Sequence, residues 1–113
     1  MAHVIRIRGI RAEGRHGASA GEGDQPQPFR VDLEVEVDAA ADELGATADY
    51  RRIVVAARAT IEGDSVTLIE TLAARIAAAV AAVPGVRSCR AEVHKPRAAE
   101  RLGVEDVSAE TTA

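Results

Sequence analysis

The chain has 113 residues and a formal net charge of −4, with Phe29 and Tyr50 as its only aromatics and Cys89 as its only cysteine. That length suits one domain over residues 1–113, with a core that needs good packing or oligomerisation. The acidic balance, without a basic block or stacking aromatics, excludes a nucleic-acid surface; one cysteine excludes an intrachain disulfide; no apolar run reaches membrane length. The expected setting is soluble, reducing and cytoplasmic.

Residues 3–12 read as a strand, with Ile5 and Ile7 alternating with Arg6 and Arg8. Gly9 breaks the parity, and a bulge there would restore it. Residues 13–28 form a long loop with four glycines and two prolines, a length associated with function or mobility. Residues 29–38 give the clearest strand. Phe29, Val31, Leu33, Val35 and Val37 face one way, and Arg30, Asp32, Glu34, Glu36 and Asp38 the other. The arginines of the first strand can pair with these carboxylates across an antiparallel ladder.

A connector over 39–49 turns at Gly45. Residues 50–62 read as a helix that buries Ile53, Val54, Ala57 and Ile61, capped by Asp49 or Thr47 and closed by Gly63. Residues 64–83 read as the longest helix. Leu68, Leu72, Ile76 and Val80 make one stripe, and Ala74, Ala77 and Ala81 make a small apolar back face that suits packing against a neighbour. Thr67 and Glu70 fit a capping box. Pro84 and Gly85 stop this helix. Residues 86–95 return to strand pattern, with Cys89, Ala91 and Val93 on one parity and Lys95 continuing that row. A last strand is expected over 102–109 and a frayed end over 110–113. The order strand, strand, helix, helix, strand, strand indicates α+β, with an antiparallel sheet and both helices on one face. Its two edges favour pairing between subunits.

Several residues have chemistry. Glu70 has a structural role open to it as a capping carboxylate. It also suits recognition of an amidine-like edge through two parallel N–H bonds. Lys95 is the only lysine; at the end of an inward row it is either a snorkelling side chain or a group placed to exchange protons. Glu22 is either a solvated loop carboxylate or part of a site, and Tyr50 either a packed aromatic or a platform for a flat ligand. His16 and His94 offer bases or ligands, but without Cys or His partners at metal spacing no metal site is expected.

Six segments in order resemble the dihydroneopterin aldolase family. They are Arg8-Gly9-Ile10-Arg11 leading to Gly14-Arg15-His16-Gly17, Glu22 five residues later, Phe29-Arg30-Val31-Asp32-Leu33, Thr47-Ala48-Asp49-Tyr50, Leu68-Ile69-Glu70, and Val93-His94-Lys95-Pro96. The resemblance implies the tunnelling fold (ββααββ), with sheets joined into a ring and two tetrameric rings commonly stacked as an octamer. It implies retro-aldol cleavage of 7,8-dihydroneopterin in folate biosynthesis, in sites between subunits, with no cofactor, metal or Schiff base. Carried over by position, Glu70 anchors the pterin, aided by the backbone of Ile69 and Ala48. Tyr50 comes from the neighbouring subunit to stack and transfer protons, and Lys95 with Glu22 handles the hydroxyl protons. Epimerisation at the side-chain carbon and pterin or purine binding without turnover stay open beside the aldolase reading. The segment after Lys95-Pro96 departs from the family, with Ala98-Ala99-Glu100-Arg101 in place of a proline-rich turn. A loosened segment is expected there, and the glycines around Glu22 make that side chain mobile on the same reading.

Overall fold

The computed structural model describes residues 2–113. Its elements are β1 (Ala2–Gly14), β2 (Gln27–Asp38), α1 (Tyr50–Glu62), α2 (Ile69–Ala81), β3 (Val86–His94), α3 (Pro96–Leu102) and β4 (Ser108–Thr112), with single tight turns at Glu22–Asp24 and Leu44–Ala46. The four strands form one antiparallel sheet in the order β1-β2-β3-β4.

The alternation in β2 sets the layers. Phe29, Val31, Leu33, Val35 and Val37 are all buried, as are Cys89, Ala91 and Val93 beside them on β3. Each large apolar side chain so buried contributes roughly 1.5–3 kcal/mol relative to exposure. Against them pack Ile53, Ala57 and Ile61 from α1, and Leu72, Ala73, Ile76, Ala77 and Val80 from α2. The predicted parity shift in β1 is present. The register slips between Ile7 and Ile10, with Gly9 at φ 77° where a side chain would be strained. The Gly9 N–H is released from the ladder and donates to Asp32 Oδ1 at 2.8 Å. Across the open face Arg6 pairs with Glu34 at 3.5 Å; exposed pairs of this kind add at most about 1 kcal/mol each.

Six expectations are corrected. The long helix begins at Ile69, with Leu68 as a cap that supplies no side-chain bond, so Thr67 and Glu70 do not form a capping box. Leu68 is 47% exposed, and Ala77 lies in the core rather than on a free back face. The segment after Lys95 is not loosened. Pro96 occupies the first helical position, Ala98 and Ala99 are buried, and Gly103 at φ 68° closes α3. Proline fits a first turn without losing a bond, and alanine is the best helix former, so the missing prolines are replaced by a helix. This adds α3 between the last two strands, giving ββααβαβ rather than ββααββ. The last strand therefore runs over Ser108–Thr112 instead of 102–109. The end is not frayed, because Ala113 and Cys89 exchange both backbone bonds at 2.8 Å.

Candidate active site

The loop between β1 and β2 is pinned by His16, which is fully buried. The Val66 N–H donates to His16 Nδ1 at 3.0 Å, and His16 Nε2 lies 2.7 Å from the Ile61 carbonyl. Nδ1 accepts, so Nε2 carries the proton and donates; the ring is a neutral linker between the end of α1 and the approach to α2. Its edge packs on Phe29 with centroids 5.3 Å apart. Both nitrogens are used, so His16 is structural rather than a base or ligand. The Gly17 N–H adds a bond to the Val66 carbonyl at 3.0 Å. A Cβ on Gly17 would overlap the carboxyl group of Glu22, which explains a glycine at that point.

Glu22 is consequently fixed, not mobile. Lys95 Nζ stands 2.6 Å from its Oε2, with the two side chains only 10% and 9% exposed. Gln27 Nε2 donates to Oε2 at 3.1 Å, and the Ser19 N–H donates to Oε1 at 3.1 Å. Burial pushes the Glu22 carboxyl upward. The bonds from Lys95, Gln27 and Ser19 and the Lys95 charge outweigh it, and hold the group down at about 2. Lys95 is placed by the end of β3 and the start of α3, where its own N–H donates to the Val107 carbonyl at 2.9 Å. Gln27 also donates to the His16 carbonyl at 3.0 Å, while its Oε1 is buried without a partner among the described residues. Arg101 Nη2 lies 3.8 Å from Glu22 Oε2. Gln27 and Arg101 are the residues that sequence reading missed. Extending the β2 alternation back from Phe29 puts Gln27 at an inward position, which was a usable signal. Arg101 had none, since it depends on α3.

Glu70 stands in the first turn of α2, exposed. Among the described residues its carboxylate has no hydrogen-bond or ion-pair partner. Ile69 is half-buried beside it. Because α2 runs antiparallel to β3, the N-terminus of α2 and the Lys95 end of β3 lie at the same end of the sheet. Ala48 and Tyr50 do not. Ala48 is buried against Gly85, where an added Cβ would meet the Ala48 nitrogen at 2.8 Å. Gly85 immediately precedes β3 and Lys95 follows its end, so the two places are separated by roughly 30 Å of extended chain. Tyr50 opens α1 under the Asp49 cap, 58% exposed. One chain thus carries these residues in two groups, Glu22, Lys95 and Glu70 toward one end of the sheet and Ala48 and Tyr50 toward the other.

The family model described as dihydroneopterin aldolase matches residues 5–112. The chain belongs to the dihydroneopterin aldolase family. Within the family it is 36% identical over 108 residues to the dihydroneopterin aldolase of Streptomyces coelicolor, covering 92% of this chain and 91% of that one. It is 34% identical over 97 residues to that of Bacillus subtilis, covering 81% of each. The fold matches a crystal structure of E. coli dihydroneopterin aldolase in complex with neopterin, with TM-score 0.86 and 20% identity over 98% of both chains. It also matches a dihydroneopterin aldolase of Burkholderia thailandensis bound to guanine, with TM-score 0.77 and 22% identity over 99% of this chain and 90% of that one.

Proposed function

We propose that the protein cleaves 7,8-dihydroneopterin by a retro-aldol reaction, giving 6-hydroxymethyl-7,8-dihydropterin and glycolaldehyde. The observation that carries this is the buried Lys95–Glu22 pair at 2.6 Å, set at the end of the sheet where Glu70 is free. Neopterin and guanine, the ligands of the two relatives' structures, share a 2-amino-4-oxo pyrimidine edge. A free carboxylate at Glu70 meets that edge with two parallel acceptors, one for the amino group and one for the ring N–H. The Ile69 backbone of the same chain and the Ala48 backbone of a neighbouring copy complete the contact.

The reaction breaks the bond between the first and second side-chain carbons. A proton leaves the second-carbon hydroxyl, whose oxygen becomes the aldehyde of glycolaldehyde. The bonding pair moves toward the ring C=N and forms an enol-like intermediate. A proton then returns to the first carbon. Lys95 and Glu22 relay the hydroxyl proton through an ordered water, and Tyr50 assists protonation of the intermediate. Lys95 is engaged by the Glu22 carboxylate at 2.6 Å, and no step calls on a Schiff base or a metal.

Tyr50 belongs to a different end of the chain from Lys95, so each site takes its tyrosine from a neighbour. The edge strands β1 and β4 suit pairing into a closed ring of four, and two such rings stack as an octamer. We place the enzyme in the cytoplasm, in keeping with its unpaired cysteine; no helix among the described residues is long and apolar enough to cross a membrane.

Incubation with dihydroneopterin should release glycolaldehyde, assayed together with any side-chain epimer. Epimer without glycolaldehyde would replace the aldolase by an epimerase, and tight pterin binding without either product would remove both. Sharing has its own test. Tyr50→Phe and Lys95→Ala variants, each slow alone, should regain part of the activity when co-assembled. No gain in verified mixed oligomers would place each site within one chain.

A further inference from the structure

On the sheet face away from α1 and α2, Asp32 of β2 and Glu92 of β3 are directly opposite in the ladder. Like charges in that position are unfavourable unless a cation lies between them. Beside them is His94, whose side chain is 6% exposed. Its Nε2 is 2.8 Å from Asp32 Oδ2 and 3.6 Å from Glu92 Oε1. These three atoms all lie within 4.8 Å of one another.

The far atom of each group is held by something else. Asp32 Oδ1 accepts the Gly9 N–H at 2.8 Å. The Ser108 hydroxyl donates to Glu92 Oε2 at 2.7 Å. His94 Nδ1 meets both oxygens of Asp106, at 2.8 and 3.0 Å. Nδ1–H therefore donates to a carboxylate, and Nε2 is turned toward Asp32 and Glu92. A histidine oriented by a carboxylate on its other nitrogen is the usual support of a metal-binding imidazole.

We infer that Asp32 Oδ2, Glu92 Oε1 and His94 Nε2 form a divalent-cation site on the open face of the sheet. One imidazole and two carboxylates suit a borderline first-row ion such as Zn²⁺, with water filling the remaining position. Bonds of about 2.0–2.2 Å in a tetrahedron separate donors by about 3.3–3.5 Å. The His94–Glu92 spacing of 3.6 Å is already close to that, and the His94–Asp32 spacing of 2.8 Å needs to open by about 0.5–0.7 Å. Among the described residues two nearby cations have no carboxylate partner, Arg30, paired with His94 in the ladder, and Arg8, which lines the same cleft as Asp32 and Glu92; Arg90 is taken up by Glu34 and Glu110. The site lies apart from the Lys95–Glu22 pair, because His94 and Lys95 have opposite parity. Its role is to tie β2 to β3 and, through Ser108 and Asp106, to the β4 segment.

The test titrates Zn²⁺ into untagged, chelator-treated protein against a competing chromophoric chelator, with Co²⁺ absorption reporting the ligand set. One ion per chain is expected with nitrogen and oxygen ligands. His94→Ala should abolish saturable binding, and Asp106→Asn should weaken it about 10- to 100-fold. No stoichiometric binding, or His94→Ala binding as well as the parent, overturns the site and leaves His94 as a hydrogen-bond partner of the carboxylates. If the variants do not fold, the long-range nitrogen–proton NMR spectrum of the parent decides. Zn²⁺ must shift His94 Nε2 and leave His3 and His16 in place; any other pattern overturns the site.

Discussion

Replacing Lys95 by Met removes one charge from a buried pair and keeps most of the volume. Glu22 then retains Gln27 and the Ser19 N–H, with Arg101 at 3.8 Å as a partial substitute. Breaking a buried pair costs about 3–5 kcal/mol. The remaining donors argue for the lower end, about 3 kcal/mol at neutral pH. The depression of the Glu22 carboxyl is of consistent size. Holding the carboxyl at about 2 instead of 4.5 corresponds to on the order of 3 kcal/mol. A depressed carboxyl stabilises the fold above its unfolded value. That contribution is lost as pH falls from about 4.5 toward 2. In Lys95→Met the folded value moves back up, so this acid limb becomes shallower. Urea unfolding followed by far-ultraviolet circular dichroism, at one fixed protein concentration, measures this in a cycle with Glu22→Gln and the double variant. A coupling of about 1.5–3 kcal/mol is expected at neutral pH. A coupling below about 0.5 kcal/mol, or an acid limb equally steep in Lys95→Met, would refute the reasoning. The same variant should lose turnover far more than pterin affinity.

Glu70→Ala should weaken pterin binding on the order of 100-fold, the loss of two charge-assisted bonds, measured by fluorescence titration; unchanged affinity removes its anchoring role. His16→Ala strands the Val66 N–H and the Ile61 carbonyl and leaves a cavity, so unfolding free energy should fall by about 3–5 kcal/mol; a loss under about 1 kcal/mol would show that the loop is held by other contacts. Burial pushes the Cys89 thiol up to about 11, so a thiol reagent at mildly alkaline pH should label unfolded but not native protein.

Gln27 and His94 show where side-chain parity was informative and where it stopped. The alternation through β2 and β3 identified the buried face residue by residue, because a strand's two faces are determined by a period of two and need no knowledge of the partner. The glycine bulge and the Asp49 cap were legible for the same local reason. The capping box at Thr67 was not. Local pattern permits it, but the chain reaches α2 only after the Val66 N–H has bonded to His16, fifty residues earlier. The Ala98-Ala99-Glu100-Arg101 run departs from the proline-rich pattern but has helical propensity of its own, and the helix it forms moves the last strand to Ser108–Thr112.

The sequence by itself determined the α+β layering, the buried rows and the chemical types at Glu22, Tyr50, Glu70 and Lys95, since these follow from periodicity and from what each side chain can donate or accept. Only the tertiary structure decided which of them meet. It brought Lys95 onto Glu22, left Glu70 without a partner among the described residues at the same end of the sheet and carried Ala48 and Tyr50 to the far end of β3. The reason is geometric. Contacts between residues far apart in the chain depend on strand register and on the direction in which α2 returns along the sheet, and neither is encoded in a local pattern.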